Sequence, residues 1–548
     1  MRKALQRTSS VVCQGWRRRP RLRALAGEDA RPTAQARTSG PPLALVLIML
    51  AYIVAGVQYA RLTPAWQAPD EPAHFNYVKY VAEHRALPEL QLGDFPADYL
   101  ARFTNPAKTP GMSIAPIRYE SWQPPLYYLL AAGVYGATTG LPQAGQLLAL
   151  RLFSVALGAL LILAAYRAAA AFLPGRPWLA LGAAAFLAAL PMHVATTAAV
   201  SNDTLAELWV ALALCQIAAL LRQPDGGGEA FGQSARSGRG GFRPYASPLL
   251  LGVTLGLAAL TKLNTAIVLP PALIALASVA WRRDGSARLR GIARRLGALC
   301  LPPLLLLAPW LARNVAVYGL ADPLASRQHQ AVVVGQQRTA DWIAQNGLRF
   351  AASDFVTTTC HSFWGQFGWM GVVLDERIYR GLTVLTALAL VGLALRARRL
   401  RHEWKSLPEA ERLGLGLLAL LAALSAAGLL WYNLTFLQRQ GRYLFLALVP
   451  IGIALAAGWR EMARRARRPL AAGLLAALAV LLAAWAALRR APLDKYTLAG
   501  LVGGSGGFGL AAWLPEPWAL WLYALPYLLL LGLDFVCLYA FIVPGLSG

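Results

Sequence analysis

Two adjacent carboxylates, Asp70 and Glu71, open the stretch PDEPAHFNYVKYVAEHRALPEL (69–90), and His74 follows one helical turn later. Pro72 suits the first turn of a helix, and Asp70 or Glu71 stands where an N-cap belongs. On that reading the acids cap the helix and complement its dipole, worth about 0.5–2 kcal/mol. Capping needs only one acid, however. A third, Glu120, stands in YESWQPPLYY (119–128), ahead of a second apolar helix. At 100° per residue, 72–84 is amphipathic: Phe75, Tyr77, Val78, Val81 and Ala82 share one arc, and Asn76, Lys79 and Glu83 face the other way. Such a helix is expected to lie flat on a membrane, apolar side down. Two flat helices, each introduced by acid, would frame a pocket at the membrane surface, suited to a reaction on a lipid-borne head group.

Those residues need a scaffold, and the composition describes one. The chain is 57% hydrophobic and 14% charged, which is membrane composition. Its net charge of +26 is not a nucleic-acid footprint. The arginines lie in blocks between apolar runs, as in RRRPRLR (17–23), RRDGSARLRGIARR (282–295), RARRLRHEWK (396–405) and REMARRARR (460–468). That pattern marks cytosolic loops. The five cysteines show no C-x-x-C spacing, and neither a disulfide framework nor a zinc site is indicated.

Apolar runs at 42–60, 147–172, 177–198, 203–221, 248–262, 264–281, 297–313, 381–396, 414–432, 443–458, 469–488 and 516–540 are candidate spans. The expected fold is therefore all-α and polytopic, with about twelve transmembrane helices. Residues 1–41 read as a basic, disordered cytosolic tail and 42–548 as the membrane-embedded domain. Parity settles the short run 123–136. Counting it as a span would put the basic loop 222–243 outside, so it is read as an interfacial helix in the first outer loop. Both termini then lie inside. The outer face carries loops 61–146 and 314–380 and a Gly-rich one, 489–515, with no soluble domain appended.

The Asp-Glu pair, the interfacial helix and the Pro-Pro-Leu-Tyr-Tyr helix resemble the GT-C class of polytopic glycosyltransferases. The patterns are similar to protein O-mannosyltransferases, lipid A aminoarabinose transferases and their bacterial relatives. LRLFSVALGALLILAAYRAAAAFLPGRP (150–177), VSNDTLAELWVALAL (200–214), LAALTKLN (257–264), PWLARNVAVYGLADPL (309–324) and QGRYLFLALVP (440–450) match later landmarks in order, so the resemblance covers roughly 42–460. It implies inverting transfer of a sugar from a polyprenyl-phosphate carrier to an acceptor hydroxyl on lipid, polysaccharide or protein, at the outer face of a bacterial cytoplasmic membrane. Asp70 would be the general base and Glu71 a helper that orients it or tunes its pKa. His74, Glu120 and Gln123 would line the substrate site, although Gln123 stands where several relatives carry a basic residue or His. Lys262, Arg313 and Arg442, at outer ends of spans, would meet the phosphate. The alternative for the two arginines is to snorkel to the interface. Lys262 breaks an apolar stretch, which marks function. Arg151 admits either role, His193 reads as structural, and His361, Trp364 and Trp369 could stack on a sugar or anchor their loop. No cofactor is specified beyond a possible divalent cation held by Asp70, Glu71, His74 and Glu120.

Two other classes share the span count or the lipid. A secondary transporter puts its ionisable groups near the midplane and often has two similar halves, neither of which this sequence displays. A flippase or polymerase handling lipid-linked sugars has less need of the Asp-Glu pair.

Overall fold

A computed structural model describes residues 42–104, 111–223, 247–283 and 288–546. The tail 1–41 and most of the basic loop 222–243 lie outside the described residues. Among those described, 10 helices are long and apolar enough to cross a membrane, and Pro177–Ala189 with Pro191–Thr197 forms a further pass bent by 68°. The bend has a local cause. Leu190 is extended (φ −83°, ψ 112°), as a residue preceding proline tends to be, and Pro191 opens the second segment. The helix Pro248–Thr261 is shorter, at 14 residues, but joins the bundle in the expected place.

Contacts at the two ends of the bundle give the direction of each pass. At the arginine-rich end, Arg176 pairs with Glu411, Arg399 pairs with Glu461, and Arg282 donates to the carbonyl of Leu221. At the opposite end Arg442 pairs with Asp70, Lys262 with Asp203, and the Trp369 indole donates to the Trp66 carbonyl. The order of passes agrees with the sequence reading from the first helix to residue 489.

Beyond that point the reading is corrected. Residues 489–515 are no loop, since Lys495–Ala511 is a continuous helix packed along Arg468–Arg489. It starts beside Arg380, which Asp494 engages at 2.7 Å. It ends where Arg468 Nη1 donates to the carbonyls of Ala511 (2.7 Å) and Leu514 (3.0 Å). The segment thus returns to the arginine-rich end. Glycines disfavour a helix in water, but in hydrocarbon every backbone N–H needs an internal partner, and small residues let two helices approach closely. Ser505 accordingly donates to the Ala472 carbonyl of its neighbour at 2.9 Å. Among the described residues this helix runs from the end at Arg380 to the arginine-rich end, and the final helical stretch (Ala519–Leu546) ends beside Thr63, Gln67 and Phe367. The described C-terminal end therefore lies with the large loops, not at the arginine-rich end.

The helix Glu71–His84 forms as expected, but its apolar arc is spent on protein. Phe75, Tyr77 and Val78 are buried, Tyr77 stacks on Tyr128 at 3.6 Å, and Phe75 meets Tyr135 edge-on at 5.8 Å. Its partner, Leu126–Ala137, has 12 residues, too few to span, and turns Leu129 and Leu130 outward. Pairing with this second helix replaces the apolar-side-down contact with lipid.

Candidate active site

The turn into helix 71–84 is strained. Trp66 and Asp70 both have positive φ (68° and 67°), a conformation that costs an L-residue about 1–2 kcal/mol and that Asp tolerates better than most. Asp70 occupies the N-cap position, yet its side chain makes no capping bond. Its Oδ1 accepts from the Tyr119 hydroxyl at 2.8 Å and its Oδ2 from Arg442 Nη2 at 2.6 Å. Burial would raise the Asp70 carboxyl, but the Arg442 guanidinium overrides it, assisted by the Tyr119 hydrogen bond, and holds it below its usual range. Arg442 reaches this position because Gly441 packs tightly, where a Cβ would meet Phe363 N and Thr359 O at 2.5 Å.

Glu71 points the other way. Its oxygens take Arg151 Nε (2.8 Å) and Nη2 (2.6 Å) as a two-pronged pair and accept further bonds from the amides of Trp66 and Val200, both at 3.2 Å. Arg151 also donates to the carbonyls of Ala60, Thr63 and Pro64. The pair is fully buried and ties the first span, the first loop and helix Gln143–Phe172 together behind the site. Glu71, expected as a helper that orients Asp70 or tunes its pKa, thus has its lone pairs occupied and does not line the cavity.

In front of Asp70 lies a cavity of about 540 Å³. Asp70, His74, Glu120 and Gln123 line it from the first loop, Lys262 and Arg442 from span ends. His74 Nδ1 is 2.8 Å from the Tyr128 hydroxyl, and burial pushes the imidazole down to about 4, so it is neutral at physiological pH. Glu120 follows Tyr119 in a 3₁₀ turn, and its Oε2 is buried without a partner. Burial first, then the Asp70 charge, raises Glu120 to about 7. Gln123 accepts from Asn202 Nδ2 at 3.4 Å. The same Asn202 amide donates to the Thr261 carbonyl at 3.2 Å, which docks the start of helix Asp203–Leu221 against Lys262.

Other expectations separate here. Arg313 does not reach the cavity. Its Nη2 donates to the carbonyls of Leu87 (3.3 Å) and Pro88 (2.6 Å), clamping the end of the first helical loop. Trp369 lines the cavity, whereas Trp364 packs on Phe186, and His361 stacks on Tyr379 at 3.6 Å away from it. His193 is buried against Glu207 at 3.1 Å. Among the described residues no group of three His, Cys, Asp or Glu side chains could hold a metal ion. Glu71, one of the four ligands considered, faces Arg151 instead. Sequence reasoning missed Tyr119, which neighbours Glu120, and Asp203, the partner of Lys262. Asp203 sits in the quoted landmark VSNDTLAELW, where an acid before an apolar run reads as a helix start.

Apolar groups complete the lining: Leu424, Gly428 and Leu429 from helix Glu409–Asn433, and Leu263 and Ile267 from the turn after Lys262. A Cβ at Gly428 would touch nothing within 4 Å, and the adjacent Leu430 and Trp431 are exposed. The site thus joins a charged head, two carboxylates each holding a cation, to a greasy flank.

Comparison with known proteins adds to this picture. Residues 76–315, just under half of the chain, match the family described as dolichyl-phosphate-mannose-protein mannosyltransferase. The resemblance seen in the motifs is thus met by an independent comparison. No curated protein matches the chain. Among solved structures, ArnT from Cupriavidus metallidurans bound to undecaprenyl phosphate is 16% identical with a TM-score of 0.45, the match covering 90% of this chain and 77% of that one. The Archaeoglobus fulgidus oligosaccharyltransferase tethered to an acceptor peptide is 14% identical with a TM-score of 0.42, covering 89% of this chain. The chain spans about half the length of that archaeal protein (55%).

Proposed function

We propose that this chain is a membrane glycosyltransferase that moves a sugar from a polyprenyl-phosphate carrier to an acceptor hydroxyl, with inversion. The observation that carries the reading is the pairing of Asp70 with Arg442 and of Asp203 with Lys262 on the wall of one cavity whose flank is apolar. The family match over 76–315 supports the reaction type. The donor's phosphate takes Arg442 and Lys262, and its polyprenyl chain leaves along the wall formed by Leu424, Gly428 and Leu429. Asp70, released from Arg442, accepts the proton of the acceptor hydroxyl. The acceptor oxygen attacks the sugar's anomeric carbon from the face opposite the phosphate. As that bond forms, the carbon–oxygen bond to phosphate breaks, and polyprenyl phosphate departs with its charge met by the two cations.

Glu71 contributes at one remove, since with Arg151 it fixes the turn that aims Asp70. The arginine-rich turns belong in the cytosol, so the site opens on the far side, the outer face of a bacterial cytoplasmic membrane. The acceptor is a hydroxyl on a lipid, polysaccharide or protein. Purified protein in nanodiscs, supplied with polyprenyl-phosphate hexoses, tests the reading by release of polyprenyl phosphate. Failure to bind polyprenyl phosphate or to turn over any such donor would overturn it.

A further inference from the structure

The cavity has polar groups that the reaction so far leaves idle. Glu120 Oε2, Trp122 Nε1, Gln336 Oε1, Gln440 Oε1 and Arg442 Nε all lie on side chains that line it, and each atom is buried without a hydrogen-bond partner. They come from three separate segments: the 3₁₀ turn Tyr119–Trp122, the stretch after helix Ser326–Val332, and the entry to Gly441–Ala447. Buried polar groups are nearly always satisfied in a folded protein. Idle atoms on side chains from three segments around one cavity therefore mark it as the place of a polar ligand.

The mixture of groups identifies that ligand's chemistry. A phosphate would use donors alone, a cation acceptors alone, and a polyprenyl chain neither. Here an indole N–H and a guanidinium N–H donate, while a carboxylate oxygen and two primary-amide oxygens accept, the Gln440 amide being oriented by its Nε2, which donates to Gln438 Oε1 at 3.4 Å. Hydroxyl groups, which donate and accept at once, are the matching partners. Aromatic surface stands beside them, with His329 against Trp122 at 4.5 Å and Tyr432 and Tyr443 on the same wall. Gln440 is two residues from Arg442, the cation assigned to the donor phosphate, so the array sits next to the phosphate-bearing end of the donor.

We infer that Trp122, Gln336 and Gln440 form the subsite for the donor's sugar ring, a neutral hydroxyl-rich sugar, and determine which lipid-linked sugar is accepted. This rests on the proposed function, and the test separates the two. Binding is measured in nanodiscs, without acceptor, for bare polyprenyl phosphate and for polyprenyl phosphate carrying mannose, glucose or galactose. The wild-type chain should bind one of the sugar-bearing lipids more tightly than the bare lipid. Gln336→Leu and Gln440→Leu should each cut that advantage about 2–10-fold, the worth of one uncharged hydrogen bond, with bare-lipid affinity unchanged. Trp122→Phe keeps the ring against His329 and removes only the N–H, so it should act alike where a leucine variant fails to fold.

Three results decide against the inference: no sugar advantage in the wild type, an advantage unmoved by the substitutions, or equal weakening for bare and sugar-bearing lipid. Loss of bare-lipid binding by the wild type would instead strike the proposed function itself.

Discussion

Asp70→Asn is the most informative single change. The position has positive φ, which Asn adopts as readily as Asp, and the native side chain makes no capping bond that would be lost. The fold should therefore tolerate it. Two functional effects of opposite sign follow from the geometry. Transfer loses its base, which lowers turnover by about 10²–10⁴-fold. Binding of polyprenyl phosphate, in contrast, should improve. In the wild type the phosphate competes with Asp70 for Arg442, whose Nη2 lies 2.6 Å from Oδ2. A charge-assisted bond is worth about 1.5–3 kcal/mol, and Asp70 is about a quarter exposed (26%), so roughly half is retained after solvent screening. Removing the competitor should tighten polyprenyl phosphate about 3–10-fold, or about 0.7–1.4 kcal/mol. The assay pairs sugar transfer with equilibrium binding of polyprenyl phosphate on the same nanodisc preparation. Near-normal transfer would remove Asp70 as the base. Weaker phosphate binding would show that Arg442 does not exchange one anion for the other.

Glu71→Gln should act on folding rather than on chemistry, since breaking a buried, two-pronged ion pair costs about 3–5 kcal/mol; thermal unfolding in detergent should fall, with residual transfer per folded molecule reduced less than in Asp70→Asn. Glu120 titrates at about 7 in the folded chain against an ordinary 4.5, so its contribution to stability is complete below pH 4.5 and is lost as pH rises through 7. Glu120→Gln should accordingly raise stability at pH 8 and leave it unchanged at pH 4.5, measured as Tm against pH; a parallel shift at both pH values would contradict the buried, unpaired carboxyl. In a cysteine-free background, Leu493→Cys should react in intact cells with a membrane-impermeant thiol reagent and Leu514→Cys should not, whereas labelling of both or neither would undo the pass at Lys495–Ala511.

Lys262 stood out because it breaks an apolar stretch, Asp70 because it stands with Glu71 at the head of the first loop, and Arg442 because it lies at the outer end of a span; all three line the cavity. Adjacency misled the reading of Glu71. Consecutive residues at a helix start point about 100° apart, so one acid can face a cavity while its neighbour faces the core. Asp203 was hidden because its significance comes from Lys262, 59 residues later, and no local pattern reports a pairing of that kind. Arg313 had the right type and place along its span but faces the 87–88 backbone, a matter of helix rotation that span-end position does not encode. The helix Lys495–Ala511 was concealed by propensities learned in water, which overstate the cost of glycine where hydrocarbon forces the backbone to pair with itself.

Under the proposed function, the apolar flank at Gly428 changes what concentration means for this protein. A substrate that enters between helices arrives from the lipid phase, so the quantity that sets occupancy is its share of the surrounding lipids and not its molarity in the sample. Adding buffer to a proteoliposome reaction leaves that share untouched, while adding inert lipid lowers it and slows turnover in proportion. Apparent affinities from detergent micelles therefore scale with the amount of detergent, and only values expressed as mole fraction carry over from one preparation to another.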